Sequence, residues 1–586
     1  MTNVQARFVN HPQRVIDPKL LAAAAKGPVD AVVVFQAPAT QDVKSAASEF
    51  AAIENMPLGA GRKTAAFEAI TEVANATKAA HADKVSGLVD KGLATAVDEL
   101  WNLGIVRVRG ASLDTIKSLV GSGVQSILMD EVVAAPTLPN AIDDAVNAAV
   151  VTPLPARFDR VTGADAARAA DADPNAVWMD WGVKRMDAPA AWQQGITGAG
   201  IVIGSLDTGV NTNHPVLRGN YRGNNADGTV NNDYNWKDMV KELPEDGTLP
   251  DGTPFDKDAD GAKNGTSKRP IDLNGHGTHT SGSAVGWDPQ HITGVEPDAK
   301  LIVGRGLGEM GGSMFDLVAA MDWFSAPTKV DGTAPRPDLA PDIVTNSWGG
   351  APTGNPFLWM ALRNWRRSGI IPVFAAGNAR TALPGQVAVP GMYPETITVG
   401  AQDLDDKRAW FSMFGPSDFS NDKKPEVMAP GHWTYSSLPD GTVRDTFPVH
   451  MPDGTVREAP ASGTSMATPH VAGAMALYLQ AHPNAKFDEV LGALKKASTL
   501  YSNPNEEQGY GNLEVNKLIT ADTISKDAVR TDAKRVEELA AQVAKAKVFM
   551  EGVRKPGIPT KPAEDAAAPE QPAKDAAVAA ATLLAA

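Results

Sequence analysis

Two rhythms of apolar and polar positions alternate along this chain, and each change of rhythm marks an element. β-Branched residues crowd VDAVVVFQ (Val29–Gln36), which predicts a buried strand. A long helical pattern follows, roughly Arg62 to Leu103. GIVRVRG alternates apolar residues with arginines and predicts a strand. SLDTIKSLVGSG has a serine start and a glycine stop and predicts a short helix, after which VQSILMDEVV returns as a strand. This β-α-β-α-β order makes a small α+β unit over residues 27–135, behind an extension at 1–26.

Residues 136–175 turn to Ala, Asp, Pro and Thr and read as a linker with a processing site. Over 176–522, apolar strand runs (GIVIGSLDTGV, AKLIVGRGL, PDIVTNSWGG, GIIPVFAAGN, ETITVGAQ) alternate with helical stretches (MFDLVAAMDWFS, PFLWMALRNWRRSG, TSMATPHVAGAMALYLQAH). Such alternation predicts an α/β domain, a mainly parallel sheet with helices on both faces. Its chemistry is expected at the C-terminal ends of strands. A charged helix is expected over 523–555, and the composition of 556–586 predicts disorder.

Composition narrows the partners. A formal net charge of −15 argues against nucleic acid, which needs clustered Lys and Arg. The one basic cluster, LRNWRRSG, reads as the solvated end of a helix. With no cysteine, disulfides and thiol chemistry are excluded. No stretch has the apolar length of a membrane span, and the first residues lack the order of a signal peptide.

Three segments carry groups that can act together. SLDTGV puts Asp207 at the exit of a buried strand, NGHGTHTSG puts His276 in a glycine-flanked turn that opens a helix, and SGTSMATPH puts Ser465 at a helix start. A serine hydroxyl is a poor nucleophile at neutral pH. It needs an imidazole to take its proton, and a carboxylate to fix that imidazole's tautomer and steady its charge. At a helix start the serine's own N–H lacks an intrahelical acceptor and can face an oxyanion. PVFAAGNA offers a second donor, the side-chain amide of Asn378. Taken singly, an Asp-Thr-Gly turn, a histidine among glycines and an asparagine after glycine are ordinary turn features. The run around Ser465 is the specific one.

IGSLDTGVNTNHPVL, DLNGHGTHTSGSAVG, AAGN and SGTSMATPHVAGA closely resemble the signatures of the subtilisin-like serine proteases, or subtilases, over about Val177–Ala521. The resemblance implies an endopeptidase that hydrolyses proteins through an acyl-enzyme, without a cofactor. Ser465 would be nucleophile, His276 general base and then acid, Asp207 orienting carboxylate and Asn378 oxyanion donor. It further implies a substrate strand paired beside NSWGG, at Ser347, Trp348 and Gly349. The long insert between Asp207 and His276 is similar to the bacillopeptidase-F-like branch. Residues 27–135 resemble the ferredoxin-like propeptides of subtilases, which implies a self-processing zymogen held by its own propeptide as intramolecular inhibitor. A propeptide suits an extracellular monomer; a cytoplasmic place is the alternative, since no export signal is visible.

FDKDADGAKNG matches the first positions of an EF-hand-like calcium loop through Asp256, Asp258, Asp260, Gly261 and Asn264, but Ser267 stands where the closing glutamate belongs. A structural Ca2+ site and a solvated acidic loop are both open. His279 lies three residues after His276 without the glutamate of a zinc motif, and His470 reads as a packed histidine. Two other functions compete. An aspartic protease needs a second Asp-Thr/Ser-Gly, and the chain has one. A non-catalytic binding protein on the same scaffold would need a lost triad member, and none is missing.

Overall fold

Val29–Phe35 (β1) is a central strand because it is apolar on both faces. The computed structural model describes residues 16–134 and 176–549, apart from 310, 351–355, 380–381, 421, 451–455, 521–523, 526–527 and 529. The expected linker at 136–175 and tail at 556–586 lie outside the described residues. Helices Pro18–Ala24 (α1), Gln41–Asn55 (α2), Ala60–Val85 (α3) and Leu113–Leu119 (α4) accompany a four-stranded antiparallel sheet. Its order is β2-β3-β1-β4, with Ala96–Glu99 (β2), Ile105–Ala111 (β3) and Val124–Met129 (β4). This is the ferredoxin-like βαββαβ arrangement.

The helix expected over Arg62–Leu103 ends at Val85. Gly87 and Gly92, at φ 69° and 67°, turn the chain, and Ala96–Glu99 becomes the edge strand β2. Residues 18–24 pack on this sheet: Leu20 and Ala24 of α1 are buried with Ala31, Val33 and Ile116.

Seven parallel strands form the larger sheet in the order β15-β14-β13-β12-β7-β10-β8. Two short strands flanking the linker come first in the chain, Val132–Val133 (β5) and Val177–Met179 (β6). The sheet itself starts with Val202–Asp207 (β7) and Trp236–Asp238 (β8), and beyond it lies His291–Ile292 (β9). Lys300–Arg305 (β10) is followed by the two-residue strand Gly312–Ser313 (β11). Ile343–Asn346 (β12), Ile371–Ala375 (β13), Ile397–Gln402 (β14) and Val427–Pro430 (β15) complete the sheet. Period two sorts its residues. Ile203, Val303, Ile343 and Val373 face helices His276–Val285 (α5) and Thr464–Ala481 (α8), while Leu206, Ile302, Val344 and Phe374 face Met314–Ser325 (α6) and Pro356–Ser368 (α7). The chain runs from β7 to β8 and β10 on one side, then crosses to β12 on the other. The β7/β12 boundary is therefore the switch point, where an open α/β sheet places its site.

The N-terminal sheet lies on α6 and α7. Val32, Val34 and Ile105 share one core with Phe315, Leu317, Leu362 and Trp365. Arg107, buried at this boundary, reaches Asp98 (2.8 Å) and Asp130 (3.0 Å) on its own side and Asp316 and Ser313 (both 3.0 Å) on the other. β5 then pairs antiparallel with β11.

The C-terminal segment forms a helix at Ala533–Lys545 (α9), and continues as strand Ala546–Val548 (β16) rather than as helix. β16 adds in parallel to β6, whose other edge takes β9. Leu539 enters the larger core, and Phe549 stacks on Tyr435 at 4.3 Å.

Candidate active site

Asp207 ends β7 at the switch point and is 1% exposed. Its Oδ1 accepts Nδ1–H of His276 at 2.8 Å and the Thr208 amide at 2.7 Å; its Oδ2 accepts the Thr280 hydroxyl at 3.2 Å. His276 begins α5, so Thr280 stands one turn along the same face. With Asp207 Oδ1 as acceptor, Nδ1 carries a proton, and in the neutral imidazole Nε2 then presents its lone pair. Nε2 is buried and has no hydrogen-bond partner among the described residues. The partner of Asp207 is thus an imidazole, not a second carboxylate.

Ser465 is the second residue of α8 and is 5% exposed. Its hydroxyl donates to the Ser347 carbonyl at 3.1 Å, so no hydrogen bond joins it to His276. The two helix starts nonetheless share one frame. Ser436 and Ser437 donate to the His279 and Thr278 carbonyls of α5, and Thr434 N donates to Ala461 O, just ahead of Ser465. Met466 packs with Leu438 and Phe447, and Phe447 lies against His279 at 4.8 Å.

Asn378 follows β13 and faces the start of α8. The Thr464 amide and hydroxyl both reach its Oδ1, at 2.9 and 3.1 Å. An N–H can only donate, so that atom is the oxygen and Nδ2 is a donor pointing the other way. A side-chain carbon added to Gly463 would lie 3.4 Å from Asn378 Nδ2 and 3.5 Å from the Ser465 nitrogen. Glycine keeps open a space that both donors share.

Ser347 follows β12 and touches Ser465. Trp348 and Gly349 continue from it, and the Trp348 ring is buried against Phe374. The residues expected to bind calcium do not close into a cage. Asp256 Oδ1 accepts the Asp258 and Ala259 amides, Asp260 Oδ2 accepts the Asp256 amide and pairs with Arg269, and Asn264 Oδ1 takes the Thr266 amide and hydroxyl. Among the described residues no group of three or more His, Cys, Asp or Glu is arranged to hold a metal ion.

His279 gives Thr434 O a 3.2 Å contact, and burial, with His276 nearby, pushes its imidazole down to about 3. His470 is buried between Met466 O at 2.7 Å and Asp180 Oδ2 at 3.3 Å. Sequence reasoning missed Thr208, Asp272 and Thr280, which hold the Asp207–His276 pair. The one available signal was Asp272, four residues ahead of His276, in a turn-forming position.

The chain that carries this switch-point carboxylate–imidazole pair and this serine at a helix start belongs to the Subtilase family, whose pattern matches residues 198–511. Among its relatives, bacillopeptidase F of Bacillus subtilis (strain 168) is 35% identical over 358 residues, covering 59% of this chain and 22% of that protein. Subtilisin Savinase of Lederbergia lenta is 29% identical over 329 residues, 56% of this chain and 94% of its own. Subtilisin E of Bacillus subtilis (strain 168) is 28% identical over 328 residues, 56% of this chain and 67% of its own.

Proposed function

We propose that this chain is a serine endopeptidase made as a self-processing precursor. Ser465 Oγ turns about its side-chain bond from the Ser347 carbonyl to His276 Nε2, gives up its proton there and attacks the scissile carbonyl. Such contacts often tighten only when substrate is bound. Asp207 holds the imidazole in the required tautomer and steadies its positive charge. The oxyanion lies between Asn378 Nδ2 and the Ser465 N–H. His276 then protonates the leaving amine, and water reverses the sequence to free the acid. The substrate backbone pairs beside Ser347–Gly349. No step calls for a metal.

The N-terminal unit serves as propeptide. Its sheet covers α6 and α7, and β5 pairs with β11 just before the linker, residues 136–175, that would be cut. A parallel sheet with distant pairings forms slowly, and a docked template shortens that search.

The observation that carries this reading is the 2.8 Å bond from His276 Nδ1 to Asp207, which leaves Nε2 without a partner near a serine-bearing helix start. Intact-mass analysis tests it. Wild-type chain is expected to lose its N-terminal unit and to hydrolyse protein, while Ser465→Ala stays at 61.5 kDa and inactive. A Ser465→Ala chain that matures and hydrolyses like wild type overturns it.

A further inference from the structure

Asp272 is a buried carboxylate outside the three-residue relay, 2% exposed, with five donors on its two oxygens. Oδ1 accepts from Thr208 Oγ1 (3.0 Å), Asn274 N (3.1 Å) and Gly275 N (2.8 Å). Oδ2 accepts from Thr278 N (2.8 Å) and Thr278 Oγ1 (2.7 Å). The first amides of an α-helix have no intrahelical acceptor. Here the Gly275 and Thr278 amides go to Asp272, and the Gly277 amide goes to Thr208 Oγ1 at 2.8 Å. Thr208 in turn gives its own amide to Asp207 Oδ1 at 2.7 Å. One carboxylate therefore binds both the helix start that bears His276 and the residue next to Asp207.

The backbone leaves no slack between these two segments. Gly209 sits at φ 121°, and a Cβ there would lie 1.8 Å from Ile271 O; a Cβ on Gly277 would lie 2.3 Å from Gly209 O. A small tilt of α5 would be transmitted to the Asp207–His276 contact.

We infer that Asp272, acting through Thr208, is a positioning residue that sets the Asp207–His276 contact for proton transfer. This rests on the function proposed above and extends it to a residue that touches no reacting atom. The site demands an acceptor-only group. An asparagine would turn its NH2 either on the Thr278 amide or on the Asn274 and Gly275 amides, leaving a buried donor unpaired.

The test is steady-state peptide hydrolysis by the full chain, per folded molecule, for Asp272→Asn, Thr208→Val and Thr208→Ser. Displacement of reacting groups by about 1 Å costs about 100-fold. Thr208→Val, nearly isosteric, is expected to lower kcat by about that factor with KM little changed. Thr208→Ser, which keeps the hydroxyl, is expected to restore it. Should Asp272→Asn fail to fold, the Thr208 pair carries the test alone. Wild-type kcat in Thr208→Val, or a Thr208→Ser enzyme as slow as Thr208→Val, overturns the positioning role. Ser465→Ala, run alongside, separates the two failures: only its full activity would overturn the site reading itself.

Discussion

Ser347 and Ser465 hold each other in a reciprocal clasp: the Ser347 hydroxyl donates to the Ser465 carbonyl at 2.8 Å, and the Ser465 hydroxyl donates to the Ser347 carbonyl at 3.1 Å. Pro469 explains half of it. Four residues after Ser465, it has no N–H to offer the Ser465 carbonyl, and Ser347 supplies the missing donor. Ser347→Ala should therefore leave a buried carbonyl unpaired and cost about 1–3 kcal/mol. Adding Pro469→Ala returns an amide to that carbonyl, so the double variant should recover part of the loss. Thermal unfolding in a Ser465→Ala background, where self-digestion is absent, measures the coupling. Additive losses would contradict the account.

The space over Gly463 gives a second prediction. Asn378→Ala removes one of its two donors and should lower kcat by about 100- to 1000-fold with KM little changed. Gly463→Ala should also slow turnover, by filling that space with a methyl group. The extended backbone there, φ 164°, accepts alanine without strain, so stability should hold. Kinetics and unfolding curves on the same preparations check both.

Arg107 fastens the N-terminal unit to α6. Removing one partner of a buried ion cluster costs about 3–5 kcal/mol. Arg107→Leu strands Asp130 and Asp316, so a cleaved N-terminal unit should separate from the remainder on gel filtration where the wild-type unit stays bound.

The same boundary predicts a pH dependence. Burial pushes the Asp322 carboxyl well above the usual range, although the Trp101 and Asn102 amides oppose it, and burial likewise raises Asp130. Once the unit leaves, Asp322 meets water and regains its ordinary value. Docking thus takes up a proton. It is strongest below the ordinary carboxylate range and weakens as pH rises through the raised values. Retention of the cleaved unit should be greater at pH 5 than at pH 8. Asp322→Asn, neutral throughout, should flatten the difference.

At the other end of the chain, Phe549 is buried against Tyr435, its amide bonds Met179 O at 2.7 Å, and β16 covers the edge of β6. Phe549→Ala should lower stability by about 3–5 kcal/mol. Calorimetry of the Ser465→Ala chain reads this directly; an unchanged Tm would mean that the segment does not contribute to the fold.

The placement of the candidate groups was legible because each sits in a short run with a strong local meaning: a strand exit for Asp207, a glycine turn for His276, a helix start for Ser465. Five of the seven strands of the parallel sheet were legible for a similar reason, being buried and largely apolar; the short strands Trp236–Asp238 and Val427–Pro430 were not. Elements decided by distant partners were not. Ala96–Glu99 looks helical until β3 pairs with it, and Ala546–Val548 leaves its helix because β6 offers an edge. In the acidic loop at 256–264 the spacing reports which residues are acidic, but not that Asp256 and Asp260 accept loop amides or that Asp260 pairs with Arg269. The rotamer that points Ser465 at Ser347 leaves no trace in the sequence.

Labelling with a serine-reactive fluorophosphonate, followed by peptide mapping, tests the central claim most directly. A single adduct is expected on Ser465, slowed severely by His276→Ala and absent from Ser465→Ala. An adduct on another residue, or equal labelling of Ser465 in wild type and His276→Ala, would contradict it.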